Sequence, residues 1–468
     1  MYYMGYLTYS IILNIVLCGT YIYIKWTDYH ANNVNWTKKA AEEAEEVASF
    51  SCSGHGVAYL DSSIVHGKPV CECYACYTGS DCSHLSFPCL ADADSGNPLF
   101  LEPFWKKQRE NSSVLVSGWH RLGYSYPVGG QMSVELEKYI FKLHELVGNA
   151  VTKGRRIVFG TGSAQLLNAA VHSLASFSPL IPAPVLVSVP YYPLYESQTK
   201  YFATRNYEFK GDVSHWKNKS DGERMSIEFV TSPNNPDCKL NQKVLQGPLA
   251  KAIHDHVYYW PHYTAIPAPA DEHIMLFSVS KLTGHAGSRF GWALVKDESV
   301  HRKMNDYVNY NSIGVSHDTQ LRILELLKVV VDNGGGRQLF QFGHQTMKDR
   351  WERLNAVFSK STRFSLQVIP PQFCTYYQQV RQPSPAYAWL KCERKEEEDC
   401  YAVLKSAGII GRKGCLFGAE DRYVRLSLLK TKDDFELLIL NLQQLIKTEL
   451  EIYAGNVSSD SDNTTGFL

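Results

Sequence analysis

The apolar and polar positions divide the chain into an apolar N-terminal segment, a polar cysteine-rich stretch, and a long region where strand and helix patterns alternate. None of the first 24 residues is charged, and residues 4–24 are mostly Ile, Leu, Val, Tyr and small side chains. That length is close to what crosses a hydrocarbon core, and Lys25 with Trp26 closes it as an interfacial anchor does. We predict a signal anchor at residues 1–25, with a cleaved signal peptide as the alternative.

From residue 96 onward, short apolar runs alternate with helical patterns. Residues 157–159, 185–189, 226–230 and 274–277 predict buried strands, and residues 164–176 predict a helix. Such alternation indicates a mostly parallel sheet covered on both faces. Near the C-terminus, a helix pattern at 342–358 and strand patterns around 373–377 and 423–427 predict a smaller α+β domain.

The same patterns set the predicted domain boundaries. A charged, alanine-rich stalk falls within residues 26–50, and the cysteine-rich module follows at 51–92. The main domain is predicted over residues 96–450, with its large part at about 146–335 and its small part at about 96–145 and 336–450. A polar tail at 451–468 is predicted to be disordered beyond Gly455.

Six of the twelve cysteines fall in one short window: Cys52, Cys71, Cys73, Cys76, Cys82 and Cys89. A dense, even set predicts a disulfide-stapled module in an oxidising compartment. Zinc is the alternative, because Cys73 and Cys76 have ligand spacing, although a second Cys-x-x-Cys pair is missing. Cys392 and Cys400 flank an acidic run, and we predict that they close a local loop by a disulfide.

Five glycosylation sequons agree with a lumenal location; they begin at Asn35, Asn111, Asn218, Asn456 and Asn463. We predict a secretory-pathway protein that is membrane-anchored with a lumenal or extracellular main domain. The alternative is a vacuolar or secreted protein after signal cleavage. Lys+Arg and Asp+Glu balance at 47 each, which argues against nucleic-acid binding. His256, His262 and His285 are candidate metal ligands by residue type, but no metal site is predicted.

The chemistry is concentrated after the strand pattern at 274–277. Lys281 stands among hydroxyl side chains that include Ser278, and Arg289 follows eight residues later. A lysine amine forms a Schiff base with the aldehyde of pyridoxal phosphate, and serine and arginine donors can hold the phosphate. For this motif alone, a surface lysine after a strand is the more ordinary interpretation, so the other motifs have to decide.

Further motifs follow strand patterns in an order that suits the same cofactor. Ser163 and Ala164 begin a helix after a glycine loop, where backbone N–H groups can bind phosphate. One ring of the pair Tyr191 and Tyr192 is predicted to stack on the pyridine ring. Asn235 follows a strand pattern and could donate to the phenolate oxygen, although an Asn-Pro turn is the alternative.

Two charged residues complete the predicted site. Asp255 can keep the pyridine nitrogen protonated, so that the ring remains an electron sink, and Tyr258 three residues later can donate to the phenolate oxygen. Arg425 lies inside an apolar strand pattern, where a buried arginine needs a carboxylate. An amino-acid substrate supplies that carboxylate.

Three of these segments resemble the plant alliinase and tryptophan aminotransferase-related family: residues 230–237, 258–264 and 281–297. The resemblance runs from about residue 40 to residue 446. It implies a fold-type I pyridoxal-phosphate-dependent transferase of the α/β class, with a mostly parallel central sheet and large and small domains. The cysteine-rich module is similar to the EGF-like domain that precedes the catalytic domain in alliinases and in longer, membrane-anchored members.

The resemblance implies a role for each matching residue. Lys281 is the Schiff-base lysine and proton shuttle, and Arg425 holds the substrate carboxylate. The cofactor is held by Asn235, Asp255 and Tyr258 at its ring and by Ser163, Ala164, Ser278 and Arg289 at its phosphate. For the stacking ring, we choose Tyr191 from the pair Tyr191 and Tyr192. Tyr124 matches a tyrosine that reaches the phosphate of the neighbouring subunit, which implies a homodimer. Cys238 departs from the family, which usually has glycine there, and predicts a strained turn with a reactive thiol.

Two reactions are compatible with these residues. We expect an aminotransferase that acts on an aromatic amino acid such as tryptophan and gives an indole-3-pyruvate-like keto acid. The alternative is an alliinase-type C–S lyase that cleaves S-alkyl-cysteine sulfoxides to a sulfenate, pyruvate and ammonia. A third class, an interaction protein with little turnover, is disfavoured by the intact lysine, aspartate and arginines.

Overall fold

The structure, a computed structural model, describes residues 2–33, 35–175, 181–216, 225–332 and 334–462. It divides into two compact units, which are described separately. The first unit comprises Met1–Cys73, Thr78–Ser83 and Leu115–Gly118. The second comprises Tyr74–Tyr77, His84–Val114 and Trp119–Leu468.

Helices and very short strands make up the first unit. The helices are α1 (Tyr2–Asn33) and α2 (Asn35–Ser49), and the strands are β1 (Gly56–Val57), β2 (Ile64–Val65), β3 (Lys68–Pro69) and β4 (Glu72–Cys73). β1 pairs with β4 and β2 with β3, both antiparallel. Disulfides Cys52–Cys71 and Cys73–Cys82 tie these strands, which is how a segment with few buried side chains is held in one conformation.

The N-terminal predictions have mixed outcomes. Among the described residues, no helix combines the length and the apolar character that a membrane crossing requires. The predicted signal anchor is therefore not supported, whereas the signal-peptide alternative stays a prediction. Asn218 and Asn463 lie outside the described residues, as do the side chains of Asn35 and Asn456. Asn111 is described and exposed.

The remaining cysteine predictions are confirmed. Two more short strands, β5 (Tyr77–Thr78) and β6 (His84–Leu85), lie in the cysteine-rich stretch. In the second unit, Cys76 pairs with Cys89 and Cys392 pairs with Cys400. Because Cys73 and Cys76 are both disulfide-bonded, neither is available as a zinc ligand.

A seven-stranded sheet organises the second unit. Its strands are β8 (Arg156–Gly160), β9 (Ala183–Val187), β10 (Tyr207–Asp212), β11 (Ser226–Thr231), β12 (Ala250–Asp255), β13 (Ile274–Ser278) and β14 (Gly291–Val295), in the order β10-β9-β11-β12-β13-β14-β8. The first four pairings in that order are parallel, and the two that involve β14 are antiparallel. The predicted mostly parallel sheet is confirmed. β8 and β13 run in the same direction, so the carboxyl ends of β8, β9, β11, β12 and β13 share one edge.

Both faces of this sheet are buried, as its near-continuous apolar strands require. Along β13, Met275 and Phe277 pack into one core, whereas Ile274 and Leu276 pack into another on the opposite face. The helices of this part, in sequence order, are α3 (Glu102–Lys107), α4 (Arg109–Ser112), α5 (Val134–Val147), α6 (Ser163–Leu174), α7 (Leu194–Tyr201), α8 (Val279–Leu282), α9 (Glu298–Ser312) and α10 (His317–Asp332). The polar strand ends are thereby the part of the sheet that remains open to a ligand.

A second, smaller sheet lies in the C-terminal part. The strands of this part are β15 (Phe364–Leu366), β16 (Gln372–Cys374), β17 (Gln379–Arg381), β18 (Tyr387–Cys392), β19 (Ile409–Ile410), β20 (Arg412–Lys413) and β21 (Tyr423–Ser427). The sheet order is β15-β18-β21-β20, and β19 pairs in parallel with β7 (Ala91–Asp92). The helices are α11 (Arg337–Phe358), α12 (Cys400–Ser406) and α13 (Lys432–Asp462).

Two sequence predictions need correction here. The strand expected around 373–377 ends at Cys374, because the chain then turns back to form the β16–β17 hairpin. The tail expected to be disordered beyond Gly455 is helical as far as Asp462, since α13 continues into it. Residues 463–468 lie outside the described residues.

Candidate active site

A cavity of about 230 Å³ lies at the edge where the strand carboxyl ends meet. We call one part of its lining the sheet side: Ser163, Tyr192, Tyr195, Thr231, Asn235, Asp255, Val257, Tyr258, Ser278, Ser280 and Lys281. We call the rest the opposite side: Gly96, Asn97, Tyr387, Arg412 and Arg425. Seven of the eleven residues predicted for the site line the cavity, and they are Ser163, Asn235, Asp255, Tyr258, Ser278, Lys281 and Arg425.

Lys281 projects from the one-turn helix α8, which begins directly after β13. Its ammonium donates to the backbone carbonyl of Gly96 across the cavity. Burial lowers the pKa of Lys281 to about 7; the Arg425 and Arg289 charges act in the same direction, and Asp255 opposes them. A large fraction of this amine is therefore neutral at physiological pH, which is the form that attacks a carbonyl.

Asp255 ends strand β12 and is buried. Its Oδ2 accepts a hydrogen bond from the Tyr195 hydroxyl at 2.7 Å, and its Oδ1 accepts the backbone N–H of Val257 at 3.2 Å. Burial raises the pKa of Asp255 above its ordinary value, although both hydrogen bonds oppose the rise. A buried carboxylate of this kind strongly favours a cationic partner.

The start of α6 has the features of a phosphate site. Gly162 is its N-cap at φ +81° and offers no side-chain hydrogen bond to the first N–H groups of the helix. A Cβ on Gly162 would overlap the guanidinium of Arg289, and one on Gly291 would lie 2.9 Å from the backbone N of Ser163. Both glycines are thus required for the close approach of chain and guanidinium. The open N–H groups and Arg289 together favour an anion.

Ser278 and Ala164 lie beside this helix start. Ser278 caps α8 by accepting the Ser280 N–H at 3.1 Å and donates to the Ser280 hydroxyl at 2.9 Å. Ala164 follows Ser163 in the first turn of α6, and its carbonyl accepts from Gln198 at 2.8 Å. Neither Ala164 nor Arg289 lines the cavity itself.

Arg425 is the buried charge of the opposite side and is contributed by the central part of β21. Its two terminal nitrogens donate to Asn235 Oδ1 at 2.9 Å and to the Asp94 carbonyl at 2.6 Å. Its Nε has no hydrogen-bond partner among the described residues. The Asp94 carboxylate oxygen Oδ1 also lies 3.9 Å from Arg425 Nη2. A buried guanidinium whose hydrogen bonds go to a side-chain amide and a backbone carbonyl, and which has a donor to spare, is suited to a substrate carboxylate.

Two tyrosine hydroxyls meet between the two sides. The Tyr258 hydroxyl lies 2.5 Å from the Tyr387 hydroxyl, and the Arg425 guanidinium stacks on the Tyr387 ring at 4.1 Å. Burial, reinforced by Tyr387, raises the pKa of Tyr258 well above its ordinary value. Tyr258 therefore remains a protonated donor at neutral pH.

The structure does not bring Tyr191 into the cavity. Its backbone N–H donates to the Phe417 carbonyl at 3.0 Å, and its ring packs against Gly418. Its hydroxyl donates to Glu196. Tyr192, the other member of the predicted pair, lines the cavity instead. The choice of Tyr191 is therefore corrected to Tyr192, because consecutive residues of the turn point to opposite sides.

Tyr124 is likewise outside the cavity, with 76% of its surface exposed. In a single chain it contacts none of the cavity residues named here, which is what its predicted role toward a neighbouring subunit requires. That role stays a prediction.

Cys238 adopts φ +58°, the left-handed conformation in which glycine is the favoured residue. The structure therefore shows the strained turn that was predicted at Cys238. Its thiol lies 3.7 Å from the Tyr387 carbonyl, and burial raises the pKa of Cys238 to about 12. Because the thiolate is the nucleophile, the structure argues against the reactive thiol that the sequence predicted.

Sequence reasoning missed several cavity residues. Tyr195 and Thr231 lie next to predicted motifs but carried no signal of their own. Arg412 pairs with Asp94, with Nε 2.5 Å from Oδ1. The neighbouring residues Gly96 and Asn97 belong to the opposite side. Only an alignment or a structure could have linked residues 94–97 to Arg412 and Arg425, since more than 300 positions separate them.

The donor set fits pyridoxal phosphate. The open start of α6 with Arg289 suits a phosphate, buried Asp255 suits a protonated ring nitrogen, and the Lys281 amine suits an aldehyde. The unpartnered Arg425 Nε leaves a donor for the substrate. Each group is held by the elements described above, so the cavity is already arranged for such a ligand.

Comparison with known proteins gave consistent matches. A family model described as allinase matches residues 91–446, and one described as alliinase EGF-like domain matches residues 35–89. Tryptophan aminotransferase-related protein 4 of Arabidopsis thaliana is 52% identical over 453 residues, which are 96% of this chain and 97% of that protein. Alliin lyase of Allium cepa is 49% identical over 427 residues, 89% of this chain and 88% of that protein.

Solved structures share the fold at low sequence identity. Thermus thermophilus aspartate aminotransferase with maleate has a TM-score of 0.55 at 15% identity, covering 76% of this chain and 91% of that chain. N-succinyldiaminopimelate aminotransferase from Mycobacterium tuberculosis has a TM-score of 0.56 at 15% identity, covering 76% and 93%. The central sheet and its cavity edge therefore have the fold-type I architecture.

Proposed function

The chain belongs to the alliinase family, whose members depend on pyridoxal phosphate, and on that premise we propose that it is an aminotransferase acting on an aromatic L-amino acid. The observation that carries the proposal is that one cavity holds three groups together. They are a lysine whose lowered pKa leaves much of the amine neutral, a buried aspartate, and a buried arginine with a donor to spare. Those three groups serve the amino, ring-nitrogen and carboxylate positions of the chemistry.

When bound, pyridoxal phosphate supplies a carbonyl that captures the substrate amino group and a ring that accepts electrons from Cα. Arg425 holds the α-carboxylate and thereby fixes which bond at Cα faces the lysine. Lys281 Nζ removes the Cα proton, a role its lowered pKa allows. With the cofactor in place, Asp255 would hold a proton at the ring nitrogen, and Tyr258 would donate to the phenolate oxygen.

Two observations support an aromatic substrate. Four tyrosines line the cavity and offer ring faces and edges for stacking: Tyr192, Tyr195, Tyr258 and Tyr387. The match to a tryptophan aminotransferase-related protein spans nearly the whole of both chains. By chemistry, the product is the corresponding aromatic keto acid.

C–S lysis is the second candidate, and a specific observation favours it. The Allium cepa alliin lyase is almost as similar as the aminotransferase-related protein, at 49% against 52% identity. A lyase needs the same base and the same arginine, and differs in breaking the Cβ–S bond. The residues that hold the common parts of the substrate therefore do not separate the two reactions.

Dependence on a keto acid tests the choice. An aminotransferase with an aromatic donor stops after one equivalent of keto acid per active site unless an acceptor keto acid is added. A lyase turns over an S-alkyl-cysteine sulfoxide repeatedly without any acceptor. Catalytic turnover of tryptophan that requires added pyruvate or 2-oxoglutarate supports the proposal, and turnover of the sulfoxide alone contradicts it.

We further propose that the active protein is a homodimer. Apolar side chains on the segment around Tyr124 are exposed in the single chain: Trp119 by 79%, Leu122 by 85% and Val128 by 73%. A second copy that covers this segment would let Tyr124 reach the partner's phosphate site. Light scattering of the purified protein should give twice the chain mass, and Leu122→Asp should lower it.

The four disulfides support a secretory location, since such bonds persist in oxidising compartments. Asn111 is exposed within its sequon. Peptide mapping of the protein purified from its native source should find the four bridges and a glycan on Asn111. Reduced cysteines at those positions would place the protein elsewhere.

A further inference from the structure

We propose that Tyr195 is a positioning residue for this chemistry: its hydroxyl orients the Asp255 carboxylate and holds its negative charge against the ring nitrogen of the cofactor. The inference rests on the pyridoxal-phosphate chemistry of the proposed function, but it holds equally for transamination and for C–S lysis. Tyr195 was not among the residues that the sequence predicted for the site.

The contacts determine to which partner the Tyr195 hydroxyl donates its hydrogen bond. Tyr195 lies in the first turn of α7 with 1% of its surface exposed. Its hydroxyl lies 2.7 Å from Asp255 Oδ2 and 2.6 Å from Thr231 Oγ1. An ionised carboxylate only accepts, so the single phenolic hydrogen goes to Asp255. The Thr231 hydroxyl then donates to Tyr195, and the chain runs from Thr231 through Tyr195 to Asp255.

The ring holds the hydroxyl in place. Tyr195 stacks on Phe229 of β11 with centroids 4.4 Å apart and planes inclined by 10°. Tyr192 packs edge-on against the Tyr195 ring, with the two ring centroids 5.6 Å apart. A phenol fixed between a sheet and a cavity cannot follow the carboxylate if it moves, so the phenol sets the carboxylate's orientation.

Few groups oppose the effect of burial on Asp255. Burial raises the pKa of Asp255; the Tyr195 hydroxyl, the Val257 N–H, His256 and Lys281 lower it. Tyr192 also faces the carboxylate but is a neutral phenol whose own pKa is raised, chiefly by burial. Among the described residues, Tyr195 is the side chain that donates a hydrogen bond to this carboxylate. Without it, the shared proton would move from the ring nitrogen to Asp255, and the ring would attract electrons less strongly.

Tyr195→Phe is the direct test, because it removes the hydroxyl and keeps the stacked ring. Tyr207→Phe is the matched control: Tyr207 is equally buried, and its hydroxyl donates to the Phe202 carbonyl at 2.8 Å, remote from the cavity. Thr231→Val is the second variant. It breaks only the outer hydrogen bond and should shift the same quantities in the same direction by less.

Two readouts decide the outcome. One is the dissociation constant of pyridoxal phosphate for the cofactor-free protein, which should rise about tenfold in Tyr195→Phe. The other is the acid limb of the kcat–pH profile. Because activity needs ionised Asp255 and the variant raises its pKa, that limb should move to higher pH by about one unit.

A result equal to that of Tyr207→Phe in both readouts would overturn the proposal and leave Tyr195 a packing residue. If Tyr195→Phe fails to fold, an unchanged dissociation constant in Thr231→Val overturns it instead. The binding readout needs no turnover, so absence of both reactions would reject the proposed function without deciding the role of Tyr195.

Discussion

The sheet side and the opposite side of the cavity are assembled in different ways. Every residue of the sheet side lies at or after the carboxyl end of a strand or in the first turn of the next helix, within residues 163–281. The opposite side joins Gly96 and Asn97, which follow β7, to Tyr387, Arg412 and Arg425 from the small sheet. The sheet side therefore depends on local rules of parallel sheets, whereas the opposite side depends on long-range packing.

We expect the two sides to have different roles, one in cofactor binding and chemistry and the other in substrate binding. The sheet side holds the groups that suit the cofactor, Lys281 and Asp255 among them, and strands with buried faces keep them in place. The opposite side holds the groups that suit the substrate, above all Arg425. Changes on the sheet side should remove cofactor binding or chemistry, and changes on the opposite side should alter substrate affinity while the cofactor remains bound.

The largest effect is expected on the sheet side, from Lys281→Ala. Loss of the amine should abolish the visible absorbance of the bound cofactor and lower turnover roughly 10⁴-fold. Absorbance spectroscopy and a turnover assay measure both. Lys296→Ala, an exposed lysine just after β14, is the control and should change neither. Retained absorbance in Lys281→Ala would remove this residue from its role.

On the opposite side, Arg425→Lys keeps the charge but loses the planar fork of donors. KM for the amino acid should rise roughly 10- to 100-fold, because hydrogen bonds to a charged group are lost, while the cofactor spectrum stays unchanged. Steady-state kinetics measure the rise. Arg422→Ala, on a half-buried arginine outside the cavity, is the control. Loss of cofactor binding in Arg425→Lys would contradict the claim that the opposite side serves the substrate and not the cofactor.

The pH dependence of reconstitution sharpens the comparison, because between pH 6 and pH 8 it reports the protonation of Lys281 on the sheet side. Burial lowers the pKa of Lys281 to about 7, so in the cofactor-free protein the amine is protonated below pH 7 and neutral above it. The rate of pyridoxal phosphate uptake should rise about tenfold from pH 6 to pH 8 and then level off. Stopped-flow absorbance measures the rate. A rate that continued to rise up to pH 10 would show that Lys281 has the ordinary pKa of a lysine, and would contradict the prediction.

The smallest effect is expected where the two sides meet, from Cys238→Gly. Glycine relieves the left-handed backbone at φ +58°, whereas removal of the buried thiol costs packing. The two terms oppose each other, and the free energy of unfolding should change by less than about 1 kcal/mol. Urea denaturation measures that change. A loss of several kcal/mol, or of substrate turnover, would mean that the cysteine has a further role.

Much of the sheet side was predictable from the sequence. Strand patterns that end shortly before Asn235 and Lys281 predict that these two residues lie at one edge, because strand direction is fixed in a parallel sheet. Asp255 is predicted from the chemistry of its motif with Tyr258 and not from a strand pattern. Tyr195 escaped prediction because an aromatic residue on a helix is ordinarily a core residue, and only its contact with Asp255 distinguishes it.

On the opposite side, only Arg425 was predictable, since a charge within an apolar strand is unusual. Asp94 and Arg412 carry no such signal, and their pairing arises from the way β7 joins β19 beside the small sheet. The choice of Tyr191 over Tyr192 failed for a local reason: a turn presents neighbouring rings to opposite sides, and the pattern does not say which side faces the cofactor.

The central claim is that the cavity carries out transamination of an aromatic amino acid, and one competition experiment tests it most directly. The purified protein with pyridoxal phosphate is given tryptophan, a keto-acid acceptor and an S-alkyl-cysteine sulfoxide together, and products are identified by mass spectrometry. We predict indole-3-pyruvate with the sulfoxide intact. Pyruvate, ammonia and thiosulfinate with tryptophan intact would contradict the claim and make the protein a C–S lyase.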